Sequence, residues 1–150
     1  MASVIPTRLP VDEATAEAVC KAFRLDGFFP EFSAELCAKL FPRSGVEHFR
    51  EGEKLVEQGE PGRDLFLILA GDVAVQYQVD SLRAEVGRMG HGAVIGEMAL
   101  LSDGVRSATV AAATPAFAFR LAFADLGYVL ENNPPLADHL KALAKERSSR

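Results

Sequence analysis

The sequence predicts a mainly β fold with flanking helices: a β jelly roll (double-stranded β-helix) preceded by an N-terminal helical hairpin and followed by two C-terminal helices. Three observations predict it. Nine of the 12 glycines fall between residues 52 and 104. Seven runs of β-prone residues occupy or adjoin that stretch, and both ends of the chain instead carry apolar residues at helical spacing. Short strands joined by local turns make a sandwich or a barrel-like roll rather than a parallel sheet.

The first helix is expected over 11–25, with Asp12 and Glu13 in its first turn and Val19, Ala22 and Phe23 on one face, stopped by Asp26-Gly27. A second is expected over 30–40, where Phe32, Leu36 and Leu40 recur every fourth residue and Pro42 follows. Strands are expected over 46–49, 54–58, 65–70, 73–79, 82–86, 107–112 and 116–121. Gly59-Glu60-Pro61-Gly62, Gly71-Asp72 and Asp80-Ser81 are turn signals, so neighbouring strands are expected to run antiparallel. After them, 122–131 reads as a helix with Phe123, Leu126 and Leu130 on one face, ended by Asn132-Asn133-Pro134-Pro135. The final helix, 135–147, carries Leu136, Leu140 and Leu143 on one side and is long enough to lie across a small pocket as a lid. Residues 1–45, 46–121 and 122–150 thus read as three parts of one domain.

Composition narrows the function. A chain with 49% hydrophobic and 25% charged residues is globular rather than disordered. The longest apolar run, 65–70, is far below the roughly 18 residues that span a bilayer, so no membrane partner is expected. The N-terminus lacks the basic start and apolar stretch of a secretory signal. Cys20 and Cys37 sit in helical contexts and are expected to be core thiols of a cytoplasmic protein. Sixteen Lys and Arg against 21 Asp and Glu give a net charge of −5, which argues against binding nucleic acid by phosphate neutralisation. A few well-placed donors can still bind one small anion on an acidic protein, because distant charges are screened.

The segment 92–110 interrupts the strand pattern and carries the chemistry. Gly96 permits close backbone approach, Glu97-Met98-Ala99-Leu100-Leu101 makes one or two helical turns, and a loop returns through Arg106 into a strand. Unpaired N–H groups at the start of such a turn, faced by an arginine fork, make a pocket for a phosphate. Glu97 is out of place in an anion site unless the ligand also carries a sugar, whose hydroxyl a carboxylate can accept. The segment therefore predicts a sugar-phosphate ligand.

Gly96-Glu97-Met98-Ala99-Leu100, followed after five residues by Arg106-Ser107-Ala108-Thr109-Val110, resembles the phosphate-binding cassette of cyclic nucleotide-binding domains. The stretch from Glu51 to Ile68 resembles that family's first hairpin, and Gly71-Asp72-Val73 its next turn. Among members it is most similar to the bacterial cyclic-nucleotide-gated channel and catabolite-activator types, in which a Ser follows the cassette arginine. The resemblance implies that Arg106 pairs with the cyclic phosphate, that Glu97 bonds the ribose 2′-hydroxyl, and that N–H groups around Gly96, Ala99 and Ser107 cradle phosphate oxygens. It further implies that Val94, Ile95 and Met98 belong to the site, that Ser107 touches the base and that Arg147 caps it from the last helix. Val105 stands where many members have proline, and Asp103 is placed to compete for the Arg106 guanidinium in the empty state.

Other chemistries lack their residues. A metal-dependent jelly-roll enzyme needs a close His-x-His pair and a nearby Glu, whereas His48, His91 and His139 are dispersed, so no metal or cofactor is expected. Gly90-His91-Gly92 begins like a dinucleotide fingerprint, but position 95 is Ile and no parallel βαβ unit surrounds it. The expected function is a non-enzymatic receptor for cAMP, and less for cGMP, that relays binding through its C-terminal helices to a protein effector. A ligand-free interaction domain and a sensor of another nucleotide, such as a cyclic dinucleotide, are the alternatives. The 29 residues after Leu121 (150 − 121) are consumed by two helices, which leaves no room for a DNA-reading helix-turn-helix.

Overall fold

The computed structural model describes residues 9–101 and 104–148. The elements run α1 (Glu13–Phe23), α2 (Ala34–Leu40), β1 (Gly45–Phe49), β2 (Lys54–Val56), β3 (Leu65–Ala70), β4 (Val73–Val79), β5 (Leu82–Met89) and β6 (Val94–Ile95). A 3₁₀ turn (Glu97–Leu100) follows, then β7 (Thr109–Ala112), β8 (Ala116–Leu121), α3 (Phe123–Asn132) and α4 (Pro134–Ser148). The eight strands form two four-stranded sheets, β1-β8-β3-β6 and β2-β7-β4-β5, with every pair antiparallel. This is the jelly roll with flanking helices that the glycine distribution and short strands predict.

The run 65–70 is uniformly apolar because β3 is buried on both faces. Leu65 and Leu67 face the helices, in a core with Val19, Phe119, Leu121, Leu126 and Leu136. Phe66 and Ile68 point the other way, into the roll, beside Ile95, Val110, Ala116 and Ala118. Strand β8 divides in the same manner, since Leu67 lies opposite Phe119 and Ile68 opposite Ala118. Full burial of each large side chain contributes roughly 1.5–3 kcal/mol.

Several boundaries move for identifiable reasons. Asp12 caps α1 by accepting from the Thr15 N–H at 2.7 Å, and Ser33 caps α2 by accepting from Leu36 N–H at 3.1 Å, so α2 begins at Ala34 rather than at the expected residue 30. Helix α1 ends in a left-handed Arg24 (φ 49°), with Leu25 N–H bonding Cys20 O at 2.9 Å, before Asp26-Gly27 is reached. Strand β5 continues past the expected residue 86 to Met89 because a bulge between Val75 and Gln76 in the facing register absorbs one residue. Strand β2 stops at Val56, and β7 starts at Thr109, leaving Ser107 and Ala108 outside the ladder. The two-residue strand β6 is too short to carry a periodic signal and lies outside the seven expected strands. Cys37 is a core residue, and burial pushes its thiol up to about 12. Cys20, expected in the core, is only half-buried.

Candidate functional site

Strand β6 delivers the chain to Gly96, whose φ of 92° falls in the left-handed region. A Cβ at Gly96 would lie 2.6 Å from Arg106 Nη1 and 3.0 Å from Asp64 O, so conformation and space both demand glycine. Gly62 is equally close from the other side, where a Cβ would lie 2.9 Å from Arg106 Nε. The Arg106 guanidinium thus lies between two bare stretches of backbone.

A short main-chain ladder holds that arrangement. Arg106 N–H donates to Glu60 O at 2.9 Å, Gly59 N–H to Arg106 O at 2.8 Å and Gly62 N–H to Gly104 O at 2.7 Å, with Val105 bridged to Pro61. Val105 therefore keeps the loop extended without a proline ring. The side chain of Arg106 donates from Nη2 to the main-chain oxygen of Asp64 at 2.8 Å and has no ion pair among the described residues. Burial pulls its pKa down, partly offset by the nearby Asp64 carboxylate and reinforced by the charge of Arg120. A half-desolvated cation held by a neutral carbonyl gains from an incoming anion.

Below Arg106 lies a cavity of about 390 Å³, within the roughly 300–1,000 Å³ typical of small-molecule sites. Its apolar wall includes Val56, Val75, Met89, Val94, Ile95 and Val110. Gly96, Met98, Val105, Arg106 and Ser107 border it, with Met98 49% and Val105 54% exposed. Among the expected residues, Val94, Ile95, Gly96, Met98, Arg106 and Ser107 therefore meet on one cavity. Ala99 falls in the 3₁₀ turn, and its side chain, like all of Asp103, lies outside the described residues.

Glu97 and Arg147 meet each other. Arg147 Nη1 donates to Glu97 Oε2 at 3.1 Å, and Arg147 Nη2 donates to the main-chain oxygen of Ala22 in α1. Both side chains are largely buried, at 11% exposure for Glu97 and 22% for Arg147. The residue expected to cap a base is thus bonded to the carboxylate expected to take a ribose hydroxyl.

Behind Arg106 stands a charged group that the sequence reading did not single out. Arg120 Nε donates to Asp64 Oδ2 at 2.8 Å, Arg120 Nη1 to Glu47 Oε1 at 3.3 Å, and the N–H of Phe123, the first residue of α3, to Asp64 Oδ1 at 2.8 Å. Burial pulls the Arg120 pKa down, but the Asp64 hydrogen bond and the Glu47 charge outweigh it and the net direction is up. The signal in the sequence is a charged residue inside an apolar strand, Arg120 in β8 and Glu47 in β1. Among the described residues no group of three His, Cys, Asp or Glu could hold a metal ion, and no helix is long and apolar enough to cross a membrane.

The family described as cyclic nucleotide-binding domain matches residues 46–133, more than half of the chain. A cAMP-dependent protein kinase regulatory subunit of Mycosarcoma maydis is 35% identical over 97 residues, 64% of this chain but 18% of that protein. The chain spans less than a fifth of the length of the curated relatives it matches. A cyclic nucleotide-binding domain from Methylobacillus flagellatus superposes with a TM-score of 0.74 at 27% identity, over 95% of this chain and 84% of that one. The regulatory domain of Toxoplasma gondii PKA, crystallised with cAMP, superposes with a TM-score of 0.67 at 21% identity over 89% of this chain and 48% of that one, a likeness of fold.

Proposed function

The chain belongs to the cyclic nucleotide-binding domain family, and on that premise we propose that it is a receptor module that binds cAMP in preference to cGMP and relays the event through its C-terminal helices to a protein partner. It is a binding module, not a catalyst, and it works in the cytoplasm. The observation that carries the reading is Arg106: a partly buried guanidinium, held only by the Asp64 carbonyl among the described residues, at the rim of an apolar cavity of about 390 Å³. A cyclic phosphate placed there exchanges a neutral acceptor for a charged one, and N–H groups around Gly96, Ala99 and Ser107 share the remaining oxygens. The wall formed by Val56, Val75, Met89 and Val94 takes the sugar and purine out of water. Ser107, exposed beside Arg106, meets the base in this reading.

The preference for cAMP is supported by the resemblance of the cassette to cAMP-binding bacterial members and by the cAMP-dependent relative. Residues 1–45, 46–121 and 122–150 act in this reading as one ligand-responsive unit. The ligand shifts the helices because it binds one of their arrangements better than the other. Calorimetry with cAMP and cGMP on the wild type and on Arg106→Ala tests the proposal. The variant is expected to lose about 1.5–3 kcal/mol of binding free energy, since the phosphate is left poorly paired. No binding by the wild type, or equal binding by the variant, overturns it in favour of a ligand-free interaction domain, and displacement of labelled cAMP by a cyclic dinucleotide would reassign the ligand.

A further inference from the structure

We propose that β5 is the pairing edge of a symmetric dimer, in which a second copy of this chain lays its own β5 antiparallel along it about a two-fold axis through Ala84. The inference concerns the end of the sheet β2-β7-β4-β5 and is independent of the receptor reading, since it holds with or without a bound nucleotide.

The two sides of the β4–β5 hairpin are finished differently. Strand β7 starts at Thr109 opposite Gln76, so β4 runs on past it with no strand on that side. There the Gln58 side chain takes a strand's place: Gln78 N–H donates to Gln58 Oε1 at 2.8 Å and Gln58 Nε2 donates to Gln78 O at 3.0 Å. Gln58 is itself anchored by its main-chain N–H on Thr109 Oγ1 at 3.0 Å. On the other side β5 ends the sheet, and every residue from Leu82 to Arg88 is exposed. A bare edge of this kind is a template for another strand.

The bonds of Gln78 also fix which groups that edge offers. Its N–H and C=O both turn away from β5, so Gln78 and Arg83 form a non-hydrogen-bonded pair, and Arg83 aims its own N–H and C=O out of the sheet. Glu85, two residues on and opposite Gln76, does the same, while Ala84 between them faces inward to β4. An antiparallel copy centred on Ala84 therefore brings Arg83 and Glu85 together as a hydrogen-bonded pair, twice by symmetry.

Side chains select the same register. Centring on Ala84 sets Arg83 against Glu85 on one face and Leu82 against Val86 on the other. Opposite charges directly across favour pairing and like charges oppose it, so a slip of the centre to Glu85, which would face its own copy, is disfavoured. Arg83 has no ion pair among the described residues, its guanidinium reaching the neutral Gln78 Oε1 at 3.2 Å. Leu82 is 77% and Val86 63% exposed, and each gains an apolar neighbour. The net charge of −5 opposes association little, because screening at physiological salt sets in beyond about 8 Å. The bulge bends the edge away after Val86, which confines the pairing to residues 82–86 and keeps the interface small and weak.

Sedimentation equilibrium of the full chain without nucleotide, from about 10 to about 500 μM, tests this, since small interfaces dissociate in that range. The weight-average mass is expected to climb from 16.1 kDa toward twice that value. Arg83→Glu and Glu85→Arg, each alone, set like charges across the axis and are expected to weaken association at least about tenfold. An equimolar mixture of the two variants restores opposite charges at both positions and is expected to return to within about threefold of the wild type. Thermal melting by circular dichroism verifies that each variant is folded, and restoration in the mixture requires that both are. A wild type that stays at 16.1 kDa throughout, single variants that associate like the wild type, or a mixture no tighter than its components overturns the proposal. Growth beyond a dimer also overturns it, because the edge would then be an open-ended template rather than one closed by its own copy.

Discussion

The main-chain oxygen of Asp64 accepts a hydrogen bond from Arg106 Nη2 at 2.8 Å, while the carboxylate of the same residue accepts from Arg120 and from the first N–H of α3. One residue therefore touches Arg106, the charged group in the sheet and the start of α3. Helix α3 has no side-chain cap of its own at Ala122, so Asp64 supplies that cap from across the fold.

Replacing that carboxylate has a defined cost. Asp64→Ala leaves Phe123 N–H without its acceptor and returns Arg120 to Glu47 alone. A loss of about 2–3 kcal/mol of stability is expected, from a charge-assisted bond removed and a partly buried donor left unpaired. Urea unfolding of the wild type and variant at one pH measures it, and a change below about 0.5 kcal/mol, the usual size of a surface substitution, would refute the capping role.

Gly96→Ala should damage binding and stability together. The left-handed backbone costs a non-glycine residue about 1–2 kcal/mol, and the new methyl would stand 2.6 Å from Arg106 Nη1. The guanidinium must shift, so nucleotide affinity should fall alongside the melting temperature. A variant that melts early yet binds normally would separate the two effects and contradict the geometry.

Asp12 provides a pH signature. Its carboxyl lies below the usual value of 3.8 because the Thr15 backbone and side chain bond the ionised form. A depressed folded-state pKa gives stability that is present above the unfolded value and lost as pH falls through the folded one. The wild type should therefore be more stable than Asp12→Ala at pH 7, with the difference shrinking below about pH 4. Chemical denaturation at both pH values reads this directly.

The two thiols should respond differently to alkylation. Cys37 is fully buried and its pKa is pushed up to about 12, whereas Cys20 is half-buried. At pH 8 a thiol reagent is expected to modify Cys20 first, with Cys37 reacting only on unfolding. Peptide mass mapping distinguishes the sites, and equal labelling under native conditions would show that α2 opens readily.

The fold was legible wherever one rule acted alone. Strands β3, β4 and β8 start and stop where the apolar runs do, because turns with glycine or small polar residues bound them. Strand β6 was not, since two residues carry no period and only tertiary pairing with Phe66 and Leu67 makes them a strand. The end of α1 was misplaced because an arginine, not the nearby glycine, takes the left-handed position. In the site, local spacing brought Gly96, Met98, Arg106 and Ser107 to one cavity. The Glu47, Asp64 and Arg120 group joins positions from three strand regions, and the Glu97–Arg147 contact spans the cassette and α4. Such pairings depend on the assembled fold, which a linear pattern does not encode.

Strand β3 places alternate side chains in two different hydrophobic compartments. It is a party wall: neither room can be vacated without exposing the other's lining. Roll and helices should for that reason melt as a single unit, with β3 amides exchanging only through global opening. A displacement of Phe66 and Ile68 within the roll is likewise felt by Leu126 and Leu136 in the helices, with Leu65 and Leu67 as the transmitting surface.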